Sequence, residues 1–113
     1  METTFDKRDA VGVVTTVGQL DAASVDSFRE QFLRWWDGAP DLRFVVLDLS
    51  RVDFLDSSGL GAVIALLKRV TNRSGDLKLC GLNRRVRLVF EITRAHRVFD
   101  ILDTVDEAVR ACA

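Results

Sequence analysis

The chain has 113 residues, 48% of them hydrophobic, a length that suits one domain over residues 1–113 and a composition apolar enough to argue against wholesale disorder. Its 16 basic and 17 acidic side chains nearly cancel, which argues against a direct nucleic-acid binder living on counterion release from phosphates. No apolar run approaches the ~20 residues that span a bilayer, and Met1-Glu2-Thr3-Thr4 begins acidic where a signal peptide begins basic, so no membrane span and a cytoplasmic location are expected.

Val11 to Val17, rich in Val and Thr, reads as a strand whose end Gly18 punctuates. Asp21 stands ahead of Ala22-Ala23 as an N-cap, and Val25, Phe28, Phe32 and Trp35 follow at helical spacing. That pattern predicts a helix over 22–36, stopped by Asp37-Gly38-Ala39-Pro40. Trp35 and Trp36 are adjacent, so one can be buried while the other points elsewhere, and Trp36 is expected to be partly exposed. Phe44 to Leu49, apolar except for Asp48, reads as a strand covered on both faces. A short link then leads to Asp56.

Beyond Asp56, Leu60, Val63, Ile64, Leu67 and Thr71 recur at helical spacing, and the first four form the expected core stripe of a helix ending between Asn72 and Gly75. Asp76 to Leu82 reads as a strand in which Cys80 is a small buried hydrophobe. Cys80 and Cys112 have no His or Cys at metal-ligand spacing, so neither a metal site nor a disulfide framework is expected. Arg84 to Thr93 suits a helix with apolar members Val86, Val89, Phe90 and Ile92. Val98 to Leu102 suits a last edge strand, and Val105 to Ala111 a short terminal helix. Strands alternating with helices imply an α/β architecture with right-handed crossovers and a largely parallel sheet.

In open α/β sheets the functional crevice lies at the carboxyl ends of the strands, where this chain carries Asp21 and Asp56-Ser57-Ser58. Two roles are open there. Asp21 and either Asp56 or Ser57 suit N-caps, each contributing about 1 kcal/mol to its helix. A serine at a helix N-terminus is also a favourable carrier of phosphate, whose added charge of about −1.5 to −2 suffices to break a docked interface. Along the same helix Ser58, Gly61, Ala65 and Lys68 align as a small, flat stripe that lets another protein's backbone approach closely, or serves as filler on a solvated face.

Enzymatic readings fit less well. Leu55-Asp56-Ser57-Ser58-Gly59 keeps only the second glycine of a nucleophile elbow, and His96 is a lone histidine of a solvated turn. Gly59-Leu60-Gly61-Ala62-Val63-Ile64 lacks the third glycine of a dinucleotide loop. A phosphoaspartate receiver wants an acidic pair after its first strand, whereas Asp21 has no acidic neighbour. Arg84, Arg85, Arg87, Arg94 and Arg97 read as a solvated face. No catalytic residue and no cofactor are expected.

Together these residues resemble the STAS domain, in particular the stand-alone bacterial anti-sigma factor antagonists. Gly18-Gln19-Leu20-Asp21 is similar to the family's Gly-Glu-Leu-Asp, Val45 to Val52 to its central strand, and Asp56-Ser57-Ser58-Gly59-Leu60-Gly61 to its signature loop. Gly81-Leu82 and Phe99-Asp100-Ile101-Leu102 also fit. The resemblance implies a single domain with a small mixed, mostly parallel sheet and about four helices packed mainly on one face. It also implies a protein-binding switch. The unphosphorylated form binds an anti-sigma factor serine kinase and frees a sigma factor, phosphorylation at Ser57 ends the complex, and a PP2C-type serine phosphatase resets it. The docking surface implied is Asp21, Asp56, Ser57, Ser58, Gly59, Gly61, Ala65 and Lys68. Gln19 replaces the family's usual acidic residue. STAS-like domains also act as scaffolds in lipid transport machines and larger signalling complexes, with no phosphorylation cycle.

Overall fold

The structure is a computed structural model that describes residues 2–112. In chain order it contains β1 (Glu2–Arg8), β2 (Val11–Leu20), α1 (Val25–Asp37), β3 (Phe44–Asp48), β4 (Val52–Leu55), α2 (Ser57–Asn72), β5 (Asp76–Cys80), α3 (Arg84–Ile92), a 3-10 turn (Ala95–Arg97), β6 (Asp100–Leu102) and α4 (Val105–Ala111). The sheet order is β1-β2-β3-β5-β6, with β4 paired to β2. Among the described residues β1 and β2 pair antiparallel and the other strand pairs are parallel. The radius of gyration is 12.6 Å.

Pleating divides the core. Val14, Val45, Leu47, Leu77 and Leu79 meet Phe28, Phe32 and Trp36 of α1, Val63, Leu66 and Val70 of α2, and Phe90 of α3. Alternate residues Val11, Val46 and Cys80 turn to the other face and meet Ala108 and Cys112 at and just beyond α4. Three helices therefore cover one face and the short terminal helix the other, the mixed STAS-like architecture implied above.

Several elements depart from the sequence reading. β1 was not anticipated, because Glu-Thr-Thr-Phe-Asp-Lys-Arg has one apolar side chain and lies mostly exposed at the sheet edge. Phe5, that side chain, stacks on Trp35 with centroids 5.0 Å apart. Trp36, not Trp35, is the buried tryptophan, at 2% exposure. The Arg73 guanidinium lies 3.6 Å above its ring and donates to the carbonyls of Trp36, Ala39 and Leu42 at 3.1, 2.8 and 3.2 Å. One arginine thus caps the end of α1 and covers its aromatic floor.

The core stripe of α2 is rotated from the expected one: Gly59, Leu60, Ala62, Val63, Leu66 and Val70 are buried, while Ile64 and Leu67 are half-buried. Ala62 and Gly59 carry too little side chain to register in an apolar count. Ile92, assigned to the apolar side of α3, is 72% exposed.

β5 carries an unexpected buried lysine. Lys78 lies under α4, 7% exposed, with Nζ 2.9 Å from Asp76 and 2.6 Å from Asp100. Burial pulls its ammonium pKa down, but the hydrogen bonds and charges of Asp100 and Asp76 together outweigh that and hold it above the ordinary lysine value. On the same face burial and the nearby Asp48 carboxylate push the Cys80 thiol up to about 12, and burial raises that of Cys112.

A raised folded-state thiol pKa means that its stabilising contribution is whole below the unfolded value of ~8.5 and fades as pH rises towards the folded one. Both thiols should therefore resist iodoacetamide at pH 8 in the native protein and react in guanidinium. Modification of either at the rate of a free thiol would contradict this account of the second face.

Candidate functional site

The site is assembled by a change of partner within β2. Over Val11 to Thr15 that strand pairs with β3; from Gly18 to Leu20 it pairs with β4. Gly18 lies inside the strand and does not end it. Its φ of +111° accompanies a register shift in which Gly18 faces Val52 and Gln19 faces Phe54. Asp53 is thus the extra residue of a bulge. The expected link between β3 and α2 is therefore itself a strand, β4, overlooked because four residues following Ser50-Arg51 offer little pattern. As a result the carboxyl ends of β2 and β4 lie side by side, at Leu20-Asp21 and Leu55-Asp56.

Asp56 is the N-cap of α2, with extended backbone, and its Oδ1 accepts from the Gly59 amide at 2.9 Å. Its second oxygen, Oδ2, accepts from the Ala22 amide at 3.2 Å. Each carboxylate oxygen thus has a backbone donor, one in its own helix and one in the β2–α1 turn, so capping and site assembly are the same interaction. Asp21 was expected as the N-cap of α1, but that helix begins three residues later than predicted, with Ser24 in the cap position. Asp21 instead closes a turn, its Oδ1 accepting from the amides of Ala23 and Ser24 at 3.1 and 3.2 Å. Ser24, which drew no notice in the sequence, locks this turn by donating to the Gln19 carbonyl at 2.7 Å and accepting from the Asp21 amide at 3.1 Å.

The remaining candidates line one side of α2. Ser57 is its first residue and is exposed; Gly61 and Lys68 are exposed; Ser58 and Ala65 are half-buried. A Cβ on Gly61 would meet nothing within 4 Å. Gly59 differs from these. It is buried, and a Cβ there would run into the carbonyl oxygen of Leu20. Its assignment to the contact surface is therefore corrected: Gly59 lies beneath that surface and lets α2 approach β2.

Other chemistry finds no partner nearby. His96 lies in the turn after α3 with Nδ1 3.2 Å from the Phe90 carbonyl. Among the described residues no three His, Cys, Asp or Glu side chains converge as metal ligands would, and no helix is long and apolar enough to cross a membrane. A cleft of about 520 Å³ lined by Phe5, Trp35, Pro40 and Leu42 sits at the opposite, amino-terminal end of the parallel strands.

Comparison with known proteins agrees with this geometry. The model of the STAS domain matches residues 2–108. A Bordetella bronchiseptica protein named as an anti-sigma factor antagonist, BtrV, is 32% identical over 111 residues, covering 98% of this chain and 94% of its own. The crystal structure of an anti-sigma factor antagonist from Mycobacterium paratuberculosis superposes with a TM-score of 0.88 at 23% identity, covering 98% of this chain and 92% of that one. The Bacillus cell fate determinant SpoIIAA in its phosphorylated form superposes at 0.74 with 20% identity, covering 99% and 100%.

Proposed function

We propose that this chain, which belongs to the STAS domain family, acts in the cytoplasm as an anti-sigma factor antagonist. Unphosphorylated, it docks on an anti-sigma factor serine kinase through Ser57, Ser58, Gly61, Ala65 and Lys68 of α2 and the Asp21 turn. The kinase then releases a sigma factor. Phosphorylation of Ser57 reverses the docking, and a PP2C-type serine phosphatase restores it.

The observation that carries this reading is the position of Ser57: exposed, at the first residue of α2, on the rim of a surface that Asp56 ties together at both ends. A helix N-terminus tolerates the added anion, so the fold survives modification. A docked partner does not, because a charge of about −1.5 to −2 would have to be desolvated in the interface. The relation to BtrV, named as an antagonist, and the fold shared with a protein solved in phosphorylated form support the same cycle.

The test is reconstitution with a candidate kinase-type anti-sigma factor from the same organism and its sigma factor. Adding the unphosphorylated protein should free the sigma factor on size-exclusion chromatography, whereas an undisturbed anti-sigma–sigma complex would oppose the reading.

A further inference from the structure

Between α1 and α2, on the flank of α2 that carries Ala65, lies a groove of about 260 Å³ lined by Arg29, Leu33, Ala65, Leu66 and Arg69. Its lining sets two arginines, Arg29 half-buried and Arg69 exposed, beside the apolar Leu33, Ala65 and Leu66. Among the described residues some cations have partners, and many exposed ones have none. Arg8 pairs with Asp106, Arg34 with Glu30 and Lys78 with two aspartates, while Arg73 donates to three carbonyls. Among the described residues neither Arg29 nor Arg69 forms an ion pair within 4 Å; Glu30, next to Arg29, pairs with Arg34 instead.

The helix dipole rationalises Arg69, in the last turn of α2, but gives nothing to Arg29, in the amino-terminal half of α1. Arg29 also carries a cost, since its Nε is shut off from solvent with no hydrogen-bond partner among the described residues. A buried donor left unsatisfied destabilises the free protein, and an arriving acceptor relieves that penalty.

We propose that this groove receives a glutamate or aspartate side chain of the protein that docks on α2. The inference rests on the antagonist reading and adds an acceptor-specific pocket to it. A carboxylate suits the site because a guanidinium presents paired N–H groups in the fork that two carboxylate oxygens fill. Leu33, Ala65 and Leu66 would then cover the methylene stem of the acidic residue and exclude water from the pair. Ala65 belongs both to this groove and to the proposed docking face, so one partner surface reaches both. Arg69 lies 12 residues beyond Ser57, or about 18 Å along the helix axis. The groove therefore does not serve the phosphate of this chain's own Ser57.

Two measurements separate this proposal from the reading beneath it. In the first, the double variant Arg29→Gln/Arg69→Gln is titrated against the anti-sigma kinase, with Arg97→Glu as a variant that makes the same change in net charge at an exposed turn elsewhere. The groove predicts about tenfold or greater weakening for the double variant and little change for Arg97→Glu. Equal binding by the double variant and the parent overturns it.

The second needs no kinase. The Arg29 and Arg69 side-chain Nε–H resonances of the parent are followed by NMR during titration with pentaglutamate and, separately, pentaglutamine. Shifts of both with the acidic peptide alone support the groove; identical responses to the two peptides overturn it. A kinase that ignores the parent, combined with a positive peptide titration, would remove the antagonist reading and leave the acidic pocket standing.

Discussion

Gly59→Ala is expected to lower the unfolding free energy by about 2–3 kcal/mol, the upper part of the range for forcing one methyl into a closed site. On a domain of this size that is a fall in Tm of about 10 °C. The added Cβ would collide with the Leu20 carbonyl oxygen and crowd the Leu20 carbonyl carbon and Cγ, at 3.0 and 3.1 Å. None of these atoms moves freely. Leu20 pairs with Leu55 across β2 and β4, and its carbonyl accepts from the Asp56 amide at 3.3 Å. Pushing α2 away would also strain the Asp56 cap.

Alanine's better helix propensity, worth about 1 kcal/mol over glycine, offsets only part of this. Gly61→Ala provides the contrast, because its methyl enters open space and should stabilise the helix by up to that amount. Thermal denaturation of the two variants checks both signs. A Gly59→Ala protein as stable as the parent would contradict the close approach of α2 to β2.

The second large effect is on binding. Ser57→Glu should weaken docking on the anti-sigma kinase about 30-fold or more, whereas Ser57→Ala should bind like the parent and resist modification. The estimate corresponds to about 2 kcal/mol, the low end of the cost of an unpaired charge in an interface. Calorimetric titration of the three proteins reads it directly. Stability should stay level or rise slightly in Ser57→Glu, because a carboxylate in the first turn of a helix interacts favourably with its dipole. Lost affinity with retained stability would therefore be an interface effect. Binding by Ser57→Glu within twofold of the parent would contradict the charge switch.

Strong local patterns carried much of this molecule from sequence to structure. β3 and β5 stand out as short apolar runs, α3 as a helix, and α4 begins and ends at Val105 and Ala111 as expected. Asp56 and Ser57 drew attention because polar residues follow an apolar stretch and open a helix. What remained hidden depends on pairing between distant segments. β1 is polar and gains its strand identity from β2; β4 is four residues long and gains its own from the end of the same strand. The partner change within β2 and the bulge opposite Gly18–Gln19 need only a glycine with positive φ, which also suits a turn.

The candidate site shows the same division. Asp56 was one of two cap candidates with Ser57, yet its second role, holding the Ala22 amide 34 residues away in sequence, follows only from the adjacency of β2 and β4. Gly59 was recognised by resemblance, while its reason for being glycine lies in the Leu20 backbone above it. Arg29 and Arg69 drew no notice in the sequence, because their groove exists only once α1 and α2 come together.

The most direct test of the central claim is peptide-level mass spectrometry after incubating the protein with its anti-sigma kinase and ATP. A single phosphate on the peptide containing Ser57, absent from Ser57→Ala, is the result this account predicts. No phosphate on that peptide, with a kinase shown active on another antagonist, would contradict it.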